Sequence, residues 1–177
     1  ALLDFFSYSS QPFKGLERAK AVKKIVNKNS LDEALVLKAE GDFYEMAGEY
    51  TKSERSLQRS LAIMADNNLY ASAENVSILS SLATLYINQG KLPQAEELYL
   101  EAQDILNKLP GDNEDLLGSI RSNLAQLYYE LGNYQEAEKI YKTLLVQDLE
   151  FYGEESANYG ITAYNLGLNQ LYAGKYD

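Results

Sequence analysis

The sequence contains neither cysteine nor histidine. Without cysteine there are no disulfides and no thiolate sites. Without histidine the commonest general base and the commonest neutral metal ligand are missing. Catalysis would fall to carboxylates, Lys, Tyr or Ser, and no phosphate-cradling glycine loop, nucleophile elbow or metal-ligand spacing is present. Asp42 and Glu45 lie one helical turn apart and read as an acid–base pair only against the simpler reading of a charged helix face. The chain is therefore expected not to be an enzyme and to need no cofactor. No apolar stretch approaches the roughly 18 residues of a membrane span. Only 3 Pro and 11 Gly occur in 177 residues, and no low-complexity tract interrupts them, which fits helices joined by short turns.

Basic residues are also scarce, 16 against 26 acidic, for a net charge of −10. Nucleic acid and anionic lipid need clustered Lys and Arg, so neither is an expected partner, whereas a basic or polar protein is. The scarcity is uneven. Residues 14–28 carry Lys14, Arg18, Lys20, Lys23, Lys24 and Lys28 against Glu17 alone, leaving +5 there and −15 elsewhere. Two readings stand: a solvated helix face, or a docking surface for an acidic partner. The start, Ala1-Leu2-Leu3-Asp4-Phe5-Phe6, has no initiating Met and no basic leader. It reads as a cut through a longer chain, with the cytoplasm as the expected compartment and a removed export signal left open.

What is abundant is repetition. Leu82, Ala83, Leu85, Tyr86, Gly90, Ala95 and Tyr99 return 42 residues later as Leu124, Ala125, Leu127, Tyr128, Gly132, Ala137 and Tyr141. The same step backwards reaches Gly41, Tyr44, Gly48, Ser53 and Leu57, and forwards Leu166, Gly167 and Gly174. Gly111 and Gly153, Gly118 and Gly160, and Asn123 and Asn165 keep the same offset. Within each copy the apolar residues recur at steps of three and four, as in Leu79, Leu82, Ala83, Tyr86 and again in Ala95, Leu98, Tyr99, Ala102, Ile105, Leu106. Gly90 stands where a left-handed helix end is wanted, and Pro93 where a first turn tolerates a missing N–H. Ala83 and Ala95 let two helices approach, and Gly41 and Gly167 in the Ala83 register meet the same demand. The eight repeat tyrosines (Tyr44, Tyr86, Tyr128, Tyr99, Tyr141, Tyr50, Tyr134, Tyr176) read as core or turn packing.

This periodicity predicts an all-α chain. A helix over 13–28 starts near Pro12 and is followed by helix pairs at about 31–67, 71–108 and 114–150, then a last helix at 155–173. Ser30-Leu31-Asp32-Glu33 reads as a capping box opening the first pair. Residues 1–30 form an N-terminal segment, the possible tail of a preceding repeat. Repeats occupy about 31–70, 71–112 and 113–154, with a partial one at 155–177. The turn at Gly174-Lys175-Tyr176-Asp177 comes before any second helix of the fourth copy, so a truncated chain with further repeats or domains beyond Asp177 is expected.

Leu79, Leu82, Ala83, Tyr86, Ala95, Tyr99 and Ala102 resemble the tetratricopeptide repeat signature. The 42-residue period resembles the long variant of kinesin light chains and many bacterial repeat proteins. The Gly-x-x-His-Pro loop common in that variant is replaced here by Gly111-Asp112-Asn113 and Gly153-Glu154-Glu155. The resemblance, covering about residues 31–177, implies an α-α superhelix, a right-handed solenoid of about three full repeats plus flanking helices. It implies a scaffold that holds a peptide or protein segment in a concave groove lined by first helices. Its rival is a regulatory or sensory arm of a larger protein whose effector domain lies outside this chain.

The stripe beside the buried one would face that groove. It holds Lys38, Asp42 and Glu45 in the first copy, and Ser77, Ser80, Ser81 and Thr84 in the second, with Asn88 beyond. In the third it holds Ser119, Ser122, Asn123, Gln126, Tyr129 and Glu130, and in the fourth Tyr164, Asn165, Leu168 and Tyr172. Ser, Asn and Gln pair with an extended backbone, and Tyr adds contact area. Any of these residues also reads as a solvated inner face without a ligand, and Tyr164 and Tyr172 as packing for a further helix. Of the clamp by which some family members grip a chaperone's C-terminal carboxylate, only Lys38 is matched. Asp42, Ser81, Ser119 and Asn123 replace the rest, so that activity is not expected.

Overall fold

The computed structural model describes residues 11–174; Ala1–Ser10 and Lys175–Asp177, with Tyr176, lie outside the described residues. Eight helices account for most of it: α1 (Pro12–Lys23), α2 (Leu31–Met46), α3 (Tyr50–Asp66), α4 (Ala73–Asn88), α5 (Leu92–Lys108), α6 (Glu114–Glu130), α7 (Tyr134–Tyr152) and α8 (Ala157–Tyr172). No strand occurs among the described residues. The predicted pairs are observed as α2/α3, α4/α5 and α6/α7. The first helix is shorter than the expected 13–28: it stops at Lys23 and the chain turns before Ser30, with Asn29 in the left-handed region at φ 56°.

The turn within each pair is set by its glycine. Gly48, Gly90 and Gly132 have φ of 75°, 73° and 75°, which an L side chain resists. Each lets the next residue's N–H reach back to the same tyrosine carbonyl: Glu49 to Tyr44, Lys91 to Tyr86 and Asn133 to Tyr128, all at 2.8 Å. That is the six-to-one bond closing a helix C-terminus. Ser30 caps α2 as expected, accepting the Glu33 N–H at 3.2 Å, and the Glu33 carboxylate returns to the Asn29 N–H at 2.6 Å. Ser72 and Ser156 cap α4 and α8 in the same register.

The chain divides into two compact units, residues 1–109 and 110–177. In the first, α1 and α3 pack on α2, α4 joins α3 and α2, and α5 pairs with α4. Its main core interlocks Leu37, Leu57, Ile63, Met64, Ile78, Leu82 and Leu85, and a smaller one joins Leu16 and Ala19 of α1 to Val36 and Phe43 of α2. In the second unit α7 packs on both α6 and α8 around Ala125, Ala137, Tyr141 and Leu144, with Tyr128 and Leu166 against them. Gly41 meets the expected need for a small residue, because a Cβ there would lie 2.6 Å from the Leu57 side chain. Gly167, in the same register, does not: nothing lies within 4 Å of its Cβ position.

Candidate functional site

None of the residues assigned to the inner stripe from sequence is buried. In the first unit much of the stripe is already engaged. Lys38 Nζ lies 2.8 Å from Asp42 Oδ2, one turn on, so Asp42 is half of an ion pair. Glu45 accepts a hydrogen bond from Asn88 Nδ2 at 2.5 Å, tying α2 to α4. Burial raises the Glu45 carboxyl above its usual range, helped by the neighbouring Asp42 charge and opposed by the Asn88 bond. Ser80 and Thr84 donate to their own helix, at Val76 O and Ser80 O. Thr84 Oγ1 also meets the hydroxyl of buried Tyr99 at 3.1 Å. Ser77 is exposed and Ser81 half-buried.

The second unit repeats one contact and adds a concavity. Tyr141, at the Tyr99 register, donates its hydroxyl to Gln126 Oε1 at 3.4 Å, and Gln126 bonds Glu130 at 3.1 Å. Burial pushes the Tyr141 phenol up to about 12. Tyr129 sits edge-on to Tyr134 and Tyr172, with ring centroids 5.8 and 5.6 Å away. Tyr164 is exposed and Asn165 half-buried.

A cleft of about 580 Å3 opens between α6, α7 and α8. Ser119, Ser122 and Asn123 of the predicted stripe line one wall. The facing wall is Asn158, Ile161 and Thr162 of α8, and not Tyr164 and Asn165. The floor comes from α7 through Leu144, Gln147, Asp148, Phe151 and Tyr152, and Asp112, Glu114 and Asp115 stand at the rim. No Lys or Arg lines it. Arg121 approaches Glu114 at 3.5 Å and donates to Gln147 at 3.3 Å. Asp148 accepts from Thr162 at 2.6 Å, and Asp115 accepts from the Tyr152 hydroxyl. That bond to Asp115 raises the Tyr152 phenol, with burial and the charges of Asp115, Asp148 and Asp112 adding to it. Three carboxylates, Asp112, Asp115 and Asp148, thus have no cationic partner among the described residues.

Sequence reasoning missed the floor, whose signal is a break in the repeat. Ile63-Met64 and Ile105-Leu106 are buried apolar pairs, and the next copy has Gln147-Asp148. Ile78 and Ile120 are buried, and Thr162 follows. The capping serines Ser30, Ser72 and Ser156 are interrupted by Glu114, and α6 has no side-chain cap. These four departures, Glu114, Gln147, Asp148 and Thr162, all fall around this cleft.

The chain belongs to the tetratricopeptide repeat family, whose model matches residues 74–145 and 118–177, together more than half of its length. The fold is similar to two crystal structures of the nearly identical TPR-like repeats of a putative kinesin light chain from Podosopora anserina. Their TM-scores are 0.80 and 0.79 at 17% identity, covering 97% of this chain and 84% of those. It is also similar to BtubC (BKLC) from P. vanneervenii, with a TM-score of 0.75, 26% identity, and 97% of this chain and 67% of that one covered. The likeness to kinesin-light-chain-type repeats thus holds although the His-Pro loop is missing. No curated protein matches. Tetratricopeptide repeats are in general protein–protein interaction scaffolds and not catalytic folds. No described helix is long and apolar enough to cross a membrane.

Proposed function

We propose that this chain holds a segment of a partner protein on the faces of its first helices, and that a basic or polar stretch of that segment enters the α6–α7–α8 cleft. The observation that carries this reading is the cleft itself, an open concavity that gathers Ser119, Ser122 and Asn123. Their hydroxyl and amide groups suit the N–H and C=O groups of an extended peptide. Phe151 and Ile161, both exposed there, offer apolar contact to an aliphatic stem. Asp112, Asp115 and Asp148 favour a cationic head at its end.

The experiment is recovery of partners from native extract on the immobilised chain, followed by Ser119→Ala with Asn123→Ala. Both residues are exposed, so the fold is retained. The expected result is at least a tenfold loss of affinity, about 1.4 kcal/mol. Equal binding by parent and double variant would remove this site.

A further inference from the structure

Three of the six basic residues at 14–28 form one wall of a second cleft. Lys20, Lys23 and Lys24 from the end of α1 face Lys52 and Arg55 at the start of α3, across Tyr44 and Glu40 of α2. This cleft also measures about 580 Å3. At about 100° per residue, Glu40 and Tyr44 lie roughly 200° around α2 from Lys38 and its stripe, so this is a different face of the helix.

Its charge is only partly compensated from within. Lys23 Nζ is held 2.6 Å from Glu40, whose side chain is almost wholly buried. Lys52 pairs with Glu49 at 3.1 Å. Lys20 and Lys52 each place their ammonium 5.7 Å from the centre of the Tyr44 ring. Lys20, Lys24 and Arg55 have no carboxylate in ion-pair reach among the described residues.

Helix energetics do not explain this arrangement. Lys20 and Lys23 suit the C-terminal end of α1, but Lys20 and Lys24 are a like-charge pair four residues apart. At the start of α3 the preference is reversed. Beyond its Glu49 cap, which makes no side-chain bond to the helix, the first turn of α3 has no acidic residue, and Lys52 stands there, where the helix dipole disfavours a cation. An anion in the cleft would relieve all of these at once.

We infer that the α1–α2–α3 cleft is a docking site for a short acidic segment of a protein, with its carboxylates taken by Lys20, Lys24 and Arg55. Charge selects this occupant over a membrane or a nucleic acid. Outside residues 14–28 the chain carries −15, which repels an extended polyanion, while a short acidic peptide meets only the local positive field.

The test is fluorescence anisotropy at low salt with a labelled Glu-Ala repeat peptide, a Gln-Ala peptide of equal length, phosphatidylserine vesicles and duplex DNA. The Glu-Ala peptide is expected to bind at least ~10-fold more tightly than the Gln-Ala peptide and to weaken as salt rises. The double reversal Lys24→Glu with Arg55→Glu is expected to remove that preference. Both side chains are exposed, and an unchanged melting curve confirms that the fold survives. Ser119→Ala with Asn123→Ala should leave acidic-peptide binding intact, which separates this site from the α6–α7–α8 cleft. The inference is overturned by equal binding of the two peptides, by no binding of the acidic one, by a reversal variant that binds it as before, or by capture of vesicles or DNA in preference to it.

Discussion

Where Ile63, Met64 and Ile78 interlock in the first unit, the second carries Gln147, Asp148 and Thr162 at the same repeat register. In the first unit Leu31 and Ala34 complete a packed interior; in the second, Asp115 and Gly118 take their register and the space stays open. A helical repeat supplies the same scaffold each time, so the residues released from packing are those able to face a ligand. The first unit puts its apolar area into stability, and the second leaves polar groups and a cavity where that area would have been.

That contrast can be broken in order of size. Ile63→Ala should destabilise the first unit by ~3–4 kcal/mol in denaturant titration, because the site is fully buried and cannot collapse. Its register counterpart Gln147→Ala should cost less than ~1 kcal/mol. A comparably small effect at Ile63 would mean that the first interior is looser than its contacts indicate. Next comes Gly41→Ala, expected to cost ~1–3 kcal/mol because the new methyl lies 2.6 Å from the enclosed Leu57 side chain. Transplanting the first unit's residues, as Gln147→Ile, Asp148→Met and Thr162→Ile together, should raise the stability of the second unit by ~1–2 kcal/mol. It should also abolish partner binding in the cleft; a destabilised triple variant would show that these polar groups hold the unit together.

Two smaller effects sharpen the contrast. Gly118→Ala is expected to stabilise by ~0.5–1 kcal/mol, the opposite sign to Gly41→Ala, since its Cβ meets nothing within 4 Å. The last concerns alkaline pH. Burial in the folded state raises the Tyr141 phenol from the ordinary 10.0 to about 12. Between those values the folded state keeps a proton that the unfolded state has lost, so stability falls as pH rises through that window. Tyr141→Phe should flatten this decline, seen as the pH dependence of the denaturant midpoint.

The helix pairs were legible in the sequence because each rests on local rules repeated at a fixed interval: apolar stripes, a left-handed glycine, a capping serine. The predicted stripe follows from the buried stripe by rotation about the helix axis, and of it Ser119, Ser122 and Asn123 line the cleft. The cleft itself was not legible, because a search for agreement between copies passes over Glu114, Gln147, Asp148 and Thr162, which matter by disagreeing. The α8 wall of the cleft is Asn158, Ile161 and Thr162, because which flank of a helix borders a gap is decided by the helices beside it. The end of α1 was set five residues too late. Spacing alone did not show that the chain leaves the helix after Lys23, well before the left-handed Asn29.

Tyr99 and Tyr141 each join the two helices of their pair directly. Each ring starts on the second helix of its pair, passes through the interior, and ends with its hydroxyl against Thr84 or Gln126 on the first helix. A single aromatic side chain thus bridges the two helices of each pair. A substitution on the second helix of a pair can therefore be felt on the first through that hydroxyl, and a scan confined to the first helices would credit Thr84 and Gln126 with effects that originate at Tyr99 and Tyr141.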